Sequence, residues 1–166
     1  MSREEKRFLV LGFFVIAVLA FSVYSYSLKG KFLWDDETLI LANPAITGKG
    51  CLSVFLNPVS QAFPRYYRPL QILSYKLDHL FWNFDPFGFH LSNLLIHVFN
   101  SLLLAGVVLS IGSSLHVALL SGMVFGIHPL LSEPVNYISS RTDLLLAFFL
   151  LASFLFFIKR GERFYK

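Results

Sequence analysis

Charge is what this sequence has least of. Only 14% of its 166 residues are Asp, Glu, Lys or Arg, where a soluble domain carries about 25%. Residues 8–28 and 87–131 contain none of the four. Such poverty excludes an ordinary soluble domain. The lone cysteine, Cys51, excludes an intrachain disulfide and leaves the redox compartment unread. His-Glu-x-x-His, a Walker A loop, Gly-x-Ser-x-Gly and Cys-x-x-Cys are all missing, and with them the usual hydrolase, nucleotide and metal signatures. There is no basic stripe interleaved with aromatics, so nucleic acid is not an expected partner despite the net charge of +4. No internal repeat or low-complexity tract breaks the chain.

What is present is hydrocarbon. Hydrophobic residues make up 55% of the chain, and phenylalanine alone occurs 19 times. The fold class this predicts is an all-α membrane protein in a single domain, 1–166, with membrane lipids as its first partner. The uncharged run 8–28 would extend about 30 Å as a helix, enough to cross a bilayer core. It is long for a signal-peptide core and has no clear small-x-small cleavage site before Lys29, so it reads as an uncleaved anchor. The run 87–131 is long enough for two crossings, with Ser-Ile-Gly-Ser-Ser at 110–114 as the turn. A fourth crossing ends near Ile158. It is predicted to begin near Pro134, with Ser132 as N-cap and Pro134 in the first turn. The expected spans are therefore about 8–28, 88–111, 114–129 and 134–159.

Half of the 14 basic residues lie in two tails: Arg3, Lys6 and Arg7, then Lys159, Arg160, Arg163 and Lys166. Basic flanks favour the cytoplasm. Four crossings also put both termini on one side, so both are expected to be cytoplasmic, with loops 29–86 and 129–141 extracytoplasmic. Within the first loop, Leu70, Leu73, Leu77, Leu80 and Phe81 share a helical face, away from Gln71, Ser74, Asp78 and His79. This predicts an amphipathic helix lying in the membrane interface.

The acids stand where the first span leaves the bilayer, in Trp34-Asp35-Asp36-Glu37. The second loop carries His128, Glu133, Arg141 and Asp143 to the same face. A carboxylate beside an apolar boundary can serve as a general base, because desolvation raises its pKa. An arginine can hold an anionic phosphate. Each residue also has a plainer role. Asp35 or Asp36 can cap the helix that follows. Glu133 can complement a helix N-terminus. Arg141 and Asp143 can pair with each other. Tyr66, Tyr67 and Arg68 can be surface anchors, His128 can simply end the third span, and His90 and His97 can bond across helices.

Four stretches in order resemble one family: Phe-Leu-Trp-Asp-Asp-Glu-Thr-Leu-Ile-Leu-Ala-Asn-Pro-Ala-Ile from Phe32, Tyr-Tyr-Arg-Pro-Leu from Tyr66, Asp-Pro-Phe-Gly-Phe-His from Asp85, and Phe-Gly-Ile-His-Pro-Leu-Leu-Ser-Glu-Pro-Val-Asn-Tyr-Ile-Ser-Ser-Arg-Thr-Asp from Phe125. They are similar to the N-terminal part of the transmembrane-and-tetratricopeptide O-mannosyltransferase-like proteins, of the type C glycosyltransferase class. The resemblance implies transfer of a sugar from a polyprenyl-phosphate donor to a hydroxyl. It implies Asp35 and Asp36 as catalytic candidates, and Glu37, Arg68, His128, Glu133, Arg141 and Asp143 as substrate contacts, with Arg68 and Arg141 on the phosphate. No metal site and no cofactor beyond the donor substrate is expected. Family members have many more spans and commonly carry the repeats, so this chain is expected to be a piece or reduced relative, not sufficient alone for catalysis. The alternative is a noncatalytic polytopic subunit of a larger membrane complex, with other membrane subunits as partners.

Overall fold

The computed structural model describes residues 2–48, 50, 53–56 and 67–164. Cys51, Tyr66 and Lys166 lie outside them. Among the described residues every regular element is helical. Helix α1 (Arg3–Tyr24) opens with a capping box between Ser2 and Glu5 and continues as a 3₁₀ turn through Lys29. Two single-turn helices, α2 (Pro44–Thr47) and α3 (Ser53–Leu56), precede α4 (Pro69–Trp82). Helix α5 (Pro86–Ser110) begins at Asp85, whose side chain accepts from the Phe87 amide, with Pro86 in the first turn. It ends at the expected turn, where Gly112 takes a φ of +91° that residues other than glycine rarely adopt. Helix α6 (Leu115–Ile127) starts on its N-cap, Ser114.

Among the described residues, three helical stretches are long and apolar enough to cross a membrane: Arg3–Lys29, Pro86–Ser110 and Ile138–Gly161. The stretch between the last two is bent by 52° between α6 and residues Pro129–Asn136, giving a fourth if the bent pair is one span. The fourth long helix differs from its expected form. Ser132–Asn136 is a separate short helix, α7, and α8 (Arg141–Phe164) begins only at Arg141. Pro134 sits inside α7, and Tyr137 leaves it extended. Arg141 and Asp143 therefore stand in the first turn of α8, near the start of the Ile138–Gly161 stretch.

Helix α5 is central, packing against α1, α6 and α8. The α1–α6–α5 seam is built from small residues. A methyl added at Gly122 would meet the Ser101 carbonyl at 2.9 Å and Ile16 at 2.8 Å. Close backbone approach of this kind holds helices together where hydrocarbon surrounds them. His97 on α5 reaches the Gly126 carbonyl of α6 at 3.1 Å, the cross-helix bond expected for it. His90 is buried instead against Gly30.

Helix α4 turns its polar side inward. Gln71, Tyr75, Lys76 and Asp78 are buried, while Leu70, Leu77, Leu80 and Phe81 are exposed. Four of the five residues of the expected apolar face are thus outward, while Leu73 packs partly inward beside the buried Ile72. Lys76 anchors the helix by donating to the carbonyls of Ala45 (3.0 Å), Ile46 (3.3 Å) and Gly48 at the end of α2.

Candidate functional site

The Trp34–Asp36 turn and the Tyr137–Arg141 segment meet at one end of the bundle. The turn is held open by Trp34 in a left-handed conformation, φ +47°, with its side chain exposed. A bulky residue rarely adopts this geometry without compensating contacts. The compensation comes from the other segment, 102 residues away. The Asp35 amide donates to the Tyr137 hydroxyl at 3.2 Å, and the Trp34 ring meets the Tyr137 ring edge-on at 5.7 Å.

Asp36 closes the join. It is fully buried. One carboxylate oxygen accepts from the Leu33 amide at 2.9 Å, the other from the Ser139 hydroxyl. Burial pushes its pKa above the usual carboxylate range, and the bonds from Ser139 and Leu33 only partly offset that. Asp36 reaches back to Leu33, so it caps the turn before it and not the π-helical turn Glu37–Leu41 that follows. Asp35 and Glu37 are exposed on either side.

Behind the turn lies a buried polar network centred on Arg141, which has no exposed surface. Its guanidinium donates to Asn93 Oδ1 at 2.6 Å, the Phe89 carbonyl at 2.8 Å and Ser74 Oγ at 3.1 Å, and pairs with Asp78 at 2.6 Å. It also lies over the Tyr75 ring, 4.6 Å from the centroid. Asp78 in turn accepts from Ser92 at 2.6 Å. The network reaches Asp36 through Gln71, which donates to the Tyr75 hydroxyl (2.8 Å) and the Ser139 carbonyl (2.7 Å). The ion pair expected of Arg141 thus exists, but its partner is Asp78 from α4. Asp143, two residues on, is exposed.

The remaining candidates spread around this centre. Glu133 is exposed on the first turn of α7. His128 is exposed; its ring accepts from the Leu130 amide at 3.3 Å and its carbonyl from the Tyr24 hydroxyl at 2.8 Å. Arg68 is half-buried at the start of α4, beside a groove along α8. Among the described residues no three His, Cys, Asp or Glu side chains gather as a metal set. Sequence reasoning passed over Tyr137, Ser139, Tyr75 and Asn93, all uncharged. Tyr137 and Ser139 lie within the fourth quoted motif, and a polar residue of that motif was the available signal.

Comparison with known proteins gives the same family that the four motifs resemble. The chain is 32% identical to the protein O-mannosyl-transferase Tmtc1 of Drosophila melanogaster over 135 residues, 77% of this chain and 16% of that protein. It is 31% identical to the protein O-mannosyl-transferase TMTC4 of Homo sapiens over 166 residues, 87% of this chain and 22% of that protein. The protein O-mannosyl-transferase F38B6.6 of Caenorhabditis elegans is 25% identical, with 89% of this chain and 23% of that protein covered. The chain therefore spans less than a quarter of each of these relatives. No family model matches it, and no solved structure does. Across most of its own length, this chain is a homologue of the proteins named protein O-mannosyl-transferase, matched to a fraction of each.

Proposed function

We propose that the chain carries the acidic part of a glycosyltransferase site, in which a sugar passes from a polyprenyl-phosphate donor to a hydroxyl acceptor. The observation that carries this reading is the join between the Trp34–Asp36 turn and the Tyr137–Ser139 segment. Two remote polar segments are bonded together where the apolar helices end, with the Asp35 carboxylate exposed beside the join.

Asp35 is the general base in this reading. Its backbone is fixed by Tyr137 while its side chain is presented outward. It takes the acceptor proton as the acceptor oxygen attacks the anomeric carbon. The bond from that carbon to the phosphate oxygen breaks, and the phosphate leaves as an anion. Asp36, with both oxygens engaged internally, is a positioning residue. Arg141 holds the scaffold through Asp78, and Arg68, at the start of α4, is the cation assigned to the leaving phosphate.

Helices α1, α5 and α8, with the bent α6–α7 pair, make four crossings in this reading. Helices α5 and α8 both begin at the polar end, so α6 must return the chain between them. The polar end faces the extracytoplasmic side, with both basic tails in the cytoplasm. The outward hydrocarbon of α4 lies in the membrane interface, its inward polar face bonded to the bundle.

The test is sugar transfer from a polyprenyl-phosphate sugar in membranes where this chain replaces the matching portion of a full-length homologue. Wild type is expected to exceed control membranes, and Asp35→Asn to lose that excess at unchanged abundance. Full turnover by Asp35→Asn would overturn the assignment. A wild-type chain that never exceeds the control would favour the noncatalytic-subunit reading.

A further inference from the structure

The break between α7 and α8 carries Tyr137 and Ser139 to the Trp34–Asp36 turn. The last carbonyls of a helix have no partner within it. At this break the carbonyls of Pro134 and Tyr137 both accept from the side-chain amide of Asn93 on α5, at 3.3 and 3.2 Å. The Oδ1 of the same amide accepts from Arg141 Nε at 2.6 Å. Asn93 has no exposed surface. Its orientation is fixed by its partners, because a guanidinium can only donate and a carbonyl can only accept.

These three bonds need an amide. Arg141 already has its counter-charge in Asp78. A carboxylate at position 93 would serve Arg141 as well, but it would face the two carbonyls with no proton to give them. The other limb of the join is held by the same turn of α5. The Phe89 ring meets the Phe32 ring edge-on at 5.3 Å, and His90 fills the space beside Gly30. Residues 89–93 thus hold the approach to the acidic turn with two rings and the Tyr137 segment with one amide.

We propose that Asn93 is a positioning residue for the transfer. It fixes the backbone at Tyr137, and Tyr137 fixes the Asp35 amide and the Trp34 ring. The Asp35 carboxylate is thereby held toward the acceptor hydroxyl. Its part in transfer rests on Asp35 as the general base; the fastening itself rests on the bonds of the amide. A displacement of about 1 Å at a reacting group can cost about a hundredfold in rate, so a residue that never touches substrate has leverage here.

The first test is kinetic and uses the transfer assay described above. Asn93→Asp keeps the acceptor for Arg141 and removes both donors. Its kcat is expected to fall about tenfold, with KM for the polyprenyl-phosphate sugar held within about twofold. Asn93→Ser is neutral and too short to reach both carbonyls. It should fall alike, and it answers the same question if the aspartate variant does not accumulate. Because Asn93 acts through Tyr137, combining Asn93→Asp with Tyr137→Phe should fall little below the lower single variant.

The second test needs no turnover. The chain has two tryptophans, Trp34 and Trp82, so Trp82→Phe leaves Trp34 as the sole indole. In nanodiscs its fluorescence anisotropy reports how firmly Tyr137 braces it. Asn93→Asp is expected to lower that anisotropy toward the value of Tyr137→Ala. Wild-type kcat and unchanged Trp34 anisotropy in both Asn93 variants would overturn the role. So would losses that multiply in full with Tyr137→Phe. No transfer even by wild type, with anisotropy still lowered by Asn93→Asp, would overturn the transferase reading and leave the fastening of the turn established.

Discussion

Arg141 and Asp78 form an ion pair at 2.6 Å in which the arginine has no exposed surface. The pair ties the first turn of α8 to α4, and through Asn93 and the Phe89 carbonyl it ties both to α5. Three helices thus meet on one planar cation. Removing one partner leaves the other buried without its counter-charge, which costs about 3–5 kcal/mol. Arg141→Met is therefore expected to lower the melting temperature sharply in detergent. Arg141→Lys should rescue little, because an ammonium cannot reach Asn93, Ser74, Phe89 and Asp78 together. The double variant Asp78→Leu, Arg141→Met should cost clearly less than the two single effects added. Strict additivity in the melting curves would show that the pair does not act as a unit.

Asp36 gives a pH dependence with a definite sign. Burial raises its pKa in the folded chain. The folded state then holds the proton more tightly than the unfolded one, and stability falls as pH rises from the ordinary carboxylate range through the raised value. Asp78 is shifted the same way by burial, with Arg141 pulling against it. The wild-type slope therefore contains both groups, and the difference between wild type and Asp36→Asn isolates Asp36. The asparagine variant is expected to melt with a flatter pH profile and to gain relative to wild type as pH rises. A variant whose curve stays parallel to wild type from pH 4 to 7 would contradict a raised Asp36.

Much of this arrangement was legible in the chain itself. The uncharged runs mark α1 and α5, and Ser110–Ser114 marks the turn after α5. Apolar runs and turn residues are local signals, and they survive folding. The start of α8 was not legible. Ser132 and Pro134 do lie in the first turn of a helix, but Ser132 is its first residue and not its N-cap, a position Leu131 takes without a side-chain bond, and the helix lasts only until Asn136. The chain then runs through an extended Tyr137 to a 3₁₀ turn, Ile138–Ser140, that carries Ser139 to Asp36. That break is set by a contact with residues about a hundred positions earlier, which no window can contain. The partner of Arg141 was hidden for the same reason. Asp143 is near in sequence, but the structure puts Asp78 across the interface.

Tyr137 offers a sharper probe of the turn than either acid. Its hydroxyl accepts from the Asp35 amide, and its ring braces Trp34. Tyr137→Phe keeps the ring and removes the hydroxyl. Asp35 is exposed, so its amide can turn to water, and stability should change by no more than about 0.5 kcal/mol. Transfer is expected to fall about tenfold through kcat, because small displacements of a reacting group are costly. Tyr137→Ala should lose the brace as well, and allow Trp34 to leave its left-handed conformation. Equal turnover in wild type and Tyr137→Phe would show that the hydroxyl does not position the carboxylate.

The sidedness of the chain can be read with single cysteines on a Cys51→Ser background. Helix α1 ends where α8 begins, at the polar turn, so Glu4 and Gly161 both lie toward the other end of the bundle. Glu4 is exposed, and a side chain added at Gly161 meets nothing within 4 Å, so both sites tolerate a cysteine. Glu133 is exposed near the polar end. An impermeant maleimide applied outside intact cells is expected to label Glu133→Cys, and to label Glu4→Cys and Gly161→Cys only after permeabilisation. Helix α6 has 13 residues and extends only about 20 Å, so it needs the bent segment after it to complete a crossing. Labelling of Glu4→Cys and Gly161→Cys from opposite sides would rule out an even number of crossings, and with it the return of the chain through α6.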